Sequence, residues 1–182
     1  MVLETEIKSG KLKMRLKTLR QELIRLKIDG FIIPRTDEHQ GEYVAPSSER
    51  LAWLTGFTGS AGVAIVLTGK AVLFIDGRYT LQAKTQVSED LITHYPLSTN
   101  SQAKWISENL KPNMKIGYDP WLMTPTQEIR YREACKISKA LLVPVAKNPI
   151  DVIWKNRPVP PSTPIIIHGI EFAGQSSDSK RT

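Results

Sequence analysis

Hydrophobic residues recur at helical spacing near the start of the chain. The stripe consists of leucines at alternating steps of four and three: Leu12, Leu16, Leu19, Leu23 and Leu26. Charged residues fill the positions between them, so the pattern predicts an amphipathic helix over residues 8–27 with a basic outer face. Gly30 is expected to end this helix, and the apolar run after it predicts a short buried strand that stops at Pro34.

Apolar runs then alternate with helical patterns as far as residue 145. The runs 61–67 and 70–76 are rich in β-branched residues and are joined by Thr68-Gly69, which predicts a β-hairpin. Further helices are predicted at 47–56 with Ser47 as N-cap, and at 79–87, 101–110 and 125–139. Further strands are predicted at 91–96, 114–119 and 140–145. This interleaved order predicts an α/β fold: a single layered domain with a mixed, partly antiparallel sheet flanked by helices.

The composition changes after residue 157. The segment RPVPPSTP, residues 157–164, has four prolines in eight positions, which is typical of a stiff, extended linker. IIIHGI, residues 165–170, then predicts one more strand, which either folds back on the preceding domain or opens a second one. We therefore expect a domain at 1–157, and at 158–182 a proline-rich linker and the start of a second domain that is absent from this chain.

The net charge of +7 is concentrated in one segment. Residues 8–27 hold eight lysines and arginines against a single acid, Glu22, so eight minus one accounts for the whole excess. The favoured interpretation is a solvated outer face of the predicted helix, and the alternative is docking onto nucleic acid or an anionic membrane. Nucleic-acid binding is not expected, because no strand combines aromatic and basic residues as a platform for bases.

Three features favour a cytoplasmic protein without a membrane segment. No run of 18 apolar residues occurs, and the first residues lack the apolar centre of a signal peptide. Cys135 is the only cysteine, so an internal disulfide is excluded.

Candidate chemistry is densest in PRTDEHQGEYVAP, residues 34–46. Asp37, His39 and Glu42 could in principle bind a metal, but three ligands within six residues of a loop make a poor coordination geometry. A second polar group, Asp76-Gly77-Arg78-Tyr79, also follows a predicted strand. Arg78 is suited to bind a carboxylate bidentately. The alternatives are local: Asp76 would cap the next helix, and Arg78 would pair with an acid such as Glu42 or Asp37.

Three motifs in the same order resemble the N-terminal domain of the Xaa-Pro aminopeptidase (aminopeptidase P) family, in its long, three-domain cytosolic form. They are DGFIIPRTDEHQGEYVAPSSERLAWLTGFTGSAGVAIV, FIDGRYTLQA and VPVAKNPIDVIWKNRPVPP. The resemblance implies a creatinase/prolidase N-terminal fold. It also implies that the intact enzyme removes an N-terminal residue that precedes proline, using two divalent metals, typically manganese, held in a C-terminal domain.

None of the family's metal-ligand motifs occurs in this chain. The resemblance therefore implies a chain that is inactive alone, with no catalytic residue, metal ligand or cofactor of its own. Its expected partners are the absent C-terminal catalytic domain, a second copy in a homodimer, and the peptide substrates of the intact enzyme.

The polar motifs of the family fall on two stretches of this sequence. The positions implied as substrate-rim or interface candidates are Asp37, His39, Glu42, Tyr43, Arg78 and Tyr79. The alternative function is a non-enzymatic peptide- or protein-binding module of the same fold, as in a related histone-chaperone subunit.

Overall fold

The computed structural model describes residues 2–97 and 101–182, with side chains from residue 9 onward. Within these residues a six-stranded sheet has the order β4-β3-β2-β1-β5-β6. The strands are β1 (Gly30–Pro34), β2 (Gly62–Leu67), β3 (Ala71–Ile75), β4 (Thr93–Pro96), β5 (Lys115–Tyr118) and β6 (Leu141–Pro144). Strand β2 runs antiparallel to β1 and β3, and the other pairings are parallel. The predicted α/β fold with a mixed sheet is confirmed.

Helices cover both faces of the sheet. They are α1 (Val2–Arg25), α2 (Arg50–Thr55), α3 (Thr80–Gln86), α4 (Gln102–Asn109), α5 (Pro125–Ile137), α6 (Pro149–Ile153), α7 (Ile170–Ala173) and α8 (Ser177–Arg181). Helices α1, α2, α3 and α6 pack in the core on one face, whereas α4 and α5 pack in the core on the other. Within the described residues, no helix is both long enough and apolar enough to cross a membrane.

Strand β1 shows why a continuous apolar run marks a central strand. Phe31 and Ile33 point into the core beneath α1, whereas Ile32 points into the core beneath α4 and α5. Because helices cover both faces of the sheet, neither side of this strand faces water. Its residues are therefore apolar throughout and do not alternate between apolar and polar.

The prediction that Gly30 ends the first helix is wrong. Helix α1 already ends at Arg25, and Lys27 takes the left-handed conformation, with φ of 56°. Gly30 is the first residue of β1, where a Cβ would lie 2.3 Å from Cδ2 of Leu67. The glycine is therefore required by the close approach of β1 and β2 rather than by the end of the helix.

Two other predicted boundaries were also wrong. Ser47 does not cap the helix predicted at 47–56, since it lies in a 3-10 turn, Pro46–Ser48, that precedes α2. IIIHGI forms no strand: residues 165–169 lie outside helices and strands, and Ile165, Ile166 and Ile167 are 83–98% exposed. No described strand lies alongside this segment, so its backbone has no ladder to join.

Candidate functional site at the carboxyl edge of the sheet

The topology brings both predicted polar motifs to one edge of the sheet. Strands β1 and β3 run in the same direction, because each is antiparallel to β2 between them. Loop 35–45 follows β1, and the segment Asp76–Tyr79 follows β3. Their starting points are therefore about 10 Å apart, two strand spacings, at the carboxyl edge where open α/β sheets bind ligands.

Asp37 stabilises the conformation of loop 35–45. Its side chain is buried, and Oδ1 accepts hydrogen bonds from the backbone N–H groups of His39 and Gly41, at 3.0 and 3.3 Å. Gln40 takes a left-handed conformation, with φ of 56°, and donates its N–H to the carbonyl of Asp37 at 3.2 Å. The carboxylate is thus held by its own loop and faces away from solvent.

Arg35, which was not among the predicted site residues, anchors the same loop. Its guanidinium is largely buried, donates to the carbonyl of Glu42 and lies 3.6 Å from the carboxylate of Glu49. Its backbone N–H donates to the carbonyl of Gly62 at 2.9 Å, which ties the start of the loop to β2. In the sequence, the signal that could have indicated this anchoring role was a single arginine directly after the buried strand.

Of the predicted site residues in this loop, His39, Glu42 and Tyr43 are exposed. The His39 side chain is 80% exposed, and Nε2 lies 3.9 Å from the carboxylate of Glu38. Tyr43 is 88% exposed, an unusual position for a large aromatic side chain. These three side chains are available for contact with a partner or a substrate.

Asp76 caps the 3-10 turn Gly77–Tyr79 that follows β3, and not helix α3 itself, whose N-cap residue is Tyr79. Its Oδ1 accepts from the backbone N–H of Arg78 at 3.0 Å and from Nε of Arg78 at 2.9 Å. The side-chain hydrogen bond lowers the pKa of Asp76 and raises the pKa of Arg78. Arg78 pairs locally with an acid, as one interpretation expected, but the acid is Asp76, two residues away, rather than Glu42 or Asp37. Arg78 remains 72% exposed.

Tyr79 joins this motif to the glycine-rich turn before β2. Its hydroxyl lies 2.6 Å from Oγ of Ser60, and this hydrogen bond lowers the pKa of Tyr79. Its ring meets Phe57 edge-on, with centroids 5.9 Å apart. Gly59 packs against both rings, since a Cβ there would lie 2.3 Å from Phe57 and 2.9 Å from Tyr79. Tyr79 is therefore an anchor of the edge.

The donor set at this edge does not fit a metal ion. Among the described residues, no three His, Cys, Asp or Glu side chains converge on one point. The carboxylate of Asp37 is occupied by backbone amides, and the imidazole of His39 points to solvent. A manganese pair of the kind implied by the resemblance has no ligand cage among these side chains.

Residues 15–158 match the family model of the creatinase/prolidase N-terminal domain. The chain belongs to this family. The resemblance drawn from the three motifs is thereby confirmed, and the six-stranded sheet described above is the creatinase/prolidase N-terminal fold.

Curated relatives of this creatinase/prolidase domain are named as Xaa-Pro aminopeptidases. A probable Xaa-Pro aminopeptidase P of Coccidioides posadasii (strain RMSCC 757 / Silveira) is 38% identical over 171 residues, which cover 92% of this chain and 28% of that protein. Xaa-Pro aminopeptidase 2 of Mus musculus is 36% identical over 168 residues, covering 92% of this chain and 25% of that protein. The chain thus spans about a quarter of their length.

Solved structures agree with this assignment. The X-prolyl aminopeptidase of Caenorhabditis elegans, described as a cytosolic enzyme with a di-nuclear active site, superimposes with a TM-score of 0.84 and 25% identity. The match covers 93% of this chain and 30% of that one. The N-terminal domain of a metallopeptidase from Corynebacterium diphtheriae gives a TM-score of 0.55 at 22% identity, over 75% and 96% of the two chains, and supports the fold.

The creatinase/prolidase domain carries one further exposed aromatic residue that the sequence analysis missed. Trp121 follows β5, which is the parallel neighbour of β1, and its side chain is 77% exposed. Its backbone N–H donates to Oδ1 of Asp119 at 3.0 Å, and Oδ2 of Asp119 accepts from Asn148 at 2.9 Å. The Asp-Pro-Trp sequence directly after a predicted strand was the signal that could have located it.

Proposed function

We propose that this chain is the non-catalytic N-terminal domain of a metal-dependent Xaa-Pro aminopeptidase, an enzyme that removes N-terminal residues preceding proline. In the intact enzyme the domain contributes to the shape of the substrate entrance and to dimer contacts. The intact enzyme is a cytoplasmic metallopeptidase that holds two divalent metals in a domain beyond this one. We expect these metals to be manganese.

One observation carries the proposal: the match to an X-prolyl aminopeptidase extends over 93% of this chain but only 30% of that enzyme. The described side chains of this domain offer no metal cage. Hydrolysis by a metal-activated water needs such a cage, so the chemistry is assigned to the part of the enzyme outside this domain.

The exposed groups of the carboxyl edge suit a role in recognition. Tyr43 and Arg78 project from neighbouring loops, and Asp76 fixes the guanidinium of Arg78 without burying it. An exposed arginine of this kind binds a carboxylate of a peptide or of a partner subunit. The imidazole of His39 and the carboxylate of Glu42 extend the same rim.

Residues 158–182 are proposed to lead into the next domain of the enzyme. The structure around Pro158–Pro164 has no helix or strand, and the three isoleucines that follow are exposed to solvent. Burying three isoleucine side chains is worth several kcal/mol, at about 1.5–3 kcal/mol each, which favours a segment that packs against another domain.

A peptidase assay tests the proposal. The 182-residue chain, supplied with manganese, should hydrolyse an Xaa-Pro peptide no faster than buffer with manganese alone. A longer polypeptide, in which the chain continues in frame into a metal-binding domain, should hydrolyse the same peptide and lose that activity in EDTA. Turnover by the 182-residue chain that EDTA abolishes would refute the assignment of catalysis to another domain.

A further inference from the structure

Three lysines surround an exposed methionine on the outer face of α1. Met14 is 70% exposed. Lys11 and Lys17 lie three positions from it on the same face of the helix, and Lys13, the residue before it, lies on the adjoining side. We call these four residues the Met14 patch. Among the described side chains, no carboxylate lies within 4.0 Å of these ammonium groups, and Glu22 of the same helix pairs with Arg25 at 2.6 Å.

A cavity of about 570 Å³ opens beside the Met14 patch. Its walls come from α1, from the C-terminal end of α2, and from α3 with the turn that follows it. Three cationic residues line it, Lys11, Arg15 and Lys84, and Asp90 is the only acidic residue among its described lining residues. The volume is within the range of ligand-binding pockets, and the charge favours an anionic group.

The wall of this cavity is fixed by hydrogen bonds between side-chain amides and a hydroxyl. Thr58 donates its N–H to Oε1 of Gln86 at 2.9 Å, and its Oγ1 accepts from Gln82 and Gln86 at 2.9 and 2.8 Å. Gly56 ends α2 in the left-handed conformation, with φ of 83°, close to the carbonyl of Gln86. The cavity is therefore largely formed before any ligand arrives.

A smaller cavity, of about 240 Å³, lies on the other side of α1. Three cationic residues, Lys13, Arg20 and Lys70, line it together with two acidic ones, Glu89 and Asp90, and Asp90 borders both cavities. Successive residues of a helix are turned by about 100°, so Lys11 and Lys13 flank Met14 on opposite sides.

We infer that the Met14 patch and its two flanking cavities form a docking site for an acidic peptide segment of a partner protein, with an apolar side chain of that segment against Met14. Carboxylates of such a segment complement the lysines and the larger cavity, and an apolar side chain between them covers the exposed Met14.

Other anionic partners fit this surface less well. A membrane-bound amphipathic helix inserts its apolar stripe into the lipid, but Leu12, Leu16 and Leu19 are buried in the core of this domain. A nucleic acid would be bound through its phosphates, which need neither an exposed methionine nor a cavity for a side chain. The patch also offers no aromatic side chain for stacking on bases.

Fluorescence anisotropy with a labelled peptide tests the inference. The probe is a nine-residue peptide of the repeat Glu-Leu-Glu, and its counterpart has lysine in place of glutamate. In about 0.15 M salt the 182-residue chain should bind the acidic probe saturably and the basic probe not at all. The K13E/K17E variant should bind the acidic probe about tenfold or more weakly, and the M14S variant about fivefold more weakly.

The K111E/K139E variant is the matched control. It makes the same change in net charge at two exposed lysines in the turns that follow α4 and α5, on the opposite layer. Circular dichroism would show that all variants keep the helical content of the parent. Three results would each overturn the inference: no binding of the acidic probe, equal weakening in the control, or binding to anionic vesicles or duplex DNA as tight as to the peptide and equally dependent on Lys13 and Lys17.

Discussion

Replacing Asp151 by asparagine should lower the free energy of unfolding by about 3 kcal/mol. Asp151 in α6 accepts a bidentate pair of hydrogen bonds from Arg50 in α2, with Nε–Oδ1 and Nη2–Oδ2 distances of 2.7 and 3.0 Å. Arg157, beyond α6, forms a second ion pair with the same carboxylate at 2.7 Å. Asparagine keeps the shape of the side chain but removes the charge that both guanidinium groups require.

The magnitude follows from where the charges lie. Only 7% of the Arg50 side chain is exposed, and Nη1 of Arg50 has no hydrogen-bond partner among the described residues. Removing one partner of a buried ion pair costs about 3–5 kcal/mol, because a desolvated charge is left unpaired. Asp151 is 19% exposed, which places the variant at the lower end of this range. For a chain of this size, about 3 kcal/mol corresponds to a decrease in Tm of about 6–12 °C.

Thermal and urea unfolding, followed by circular dichroism, measure the change. D178N is the control, because the pair of Asp178 with Arg181 is exposed at both ends and should contribute less than about 0.5 kcal/mol. R50M should cost less in the D151N background than in the parent, with a coupling energy of about 2 kcal/mol. If D151N and D178N unfold at the same temperature, the carboxylate of Asp151 does not stabilise this domain.

Three further outcomes are expected. G59A should lower stability by about 1–3 kcal/mol, because its Cβ would overlap the rings of Phe57 and Tyr79, whereas G69A, with no atom within 4 Å, should unfold like the parent. Desolvation lowers the pKa of His94 in the folded chain, so the unfolded chain binds a proton more readily. The free energy of unfolding should therefore fall as the pH is lowered from 8 through about 6.5, and the H94Q variant should lack this loss. Burial raises the pKa of Cys135 to about 11, so a thiol reagent at neutral pH should label it only in denaturant.

The layered fold could be predicted because each element carries its own local signal. The start of α5 is an example: Thr124 is its N-cap, Pro125 its first residue and Gln127 completes a capping box, a pattern that marks a helix start in sequence. Helix α6 was missed although Asn148 caps it and Pro149 begins it, because five residues are too short for a helical period. The predicted strand at 165–170 failed for the opposite reason: an apolar run predicts burial, but pairing depends on a neighbouring strand that the sequence does not specify.

Contacts between distant residues were beyond the reach of sequence patterns. Arg50 and Asp151 are separated by 101 positions, and Arg157 reaches the carbonyl of Ser47 across 110. Neither pair of residues is related by a helical or strand period or belongs to a common motif, so the sequence does not predict the contact. For Arg78 the error was different, because a capping carboxylate two residues away competes successfully with any acid that must be brought from another loop.

The density of titratable groups in the two polar motifs suggested chemistry, and the structure divides those groups into two kinds. The carboxylates of Asp37 and Asp76 both accept hydrogen bonds from backbone amides of their own loops, so they stabilise turns. A carboxylate held in this way by its own loop is a poor general base for a molecule outside the loop. The predicted site residues that remain exposed at the edge are Arg78, Tyr43, His39 and Glu42. They form a rim of polar and aromatic side chains suited to recognition, and among the described residues no three metal-binding side chains converge there, which supports the proposal that the carboxyl edge of this domain is a rim for a site built elsewhere.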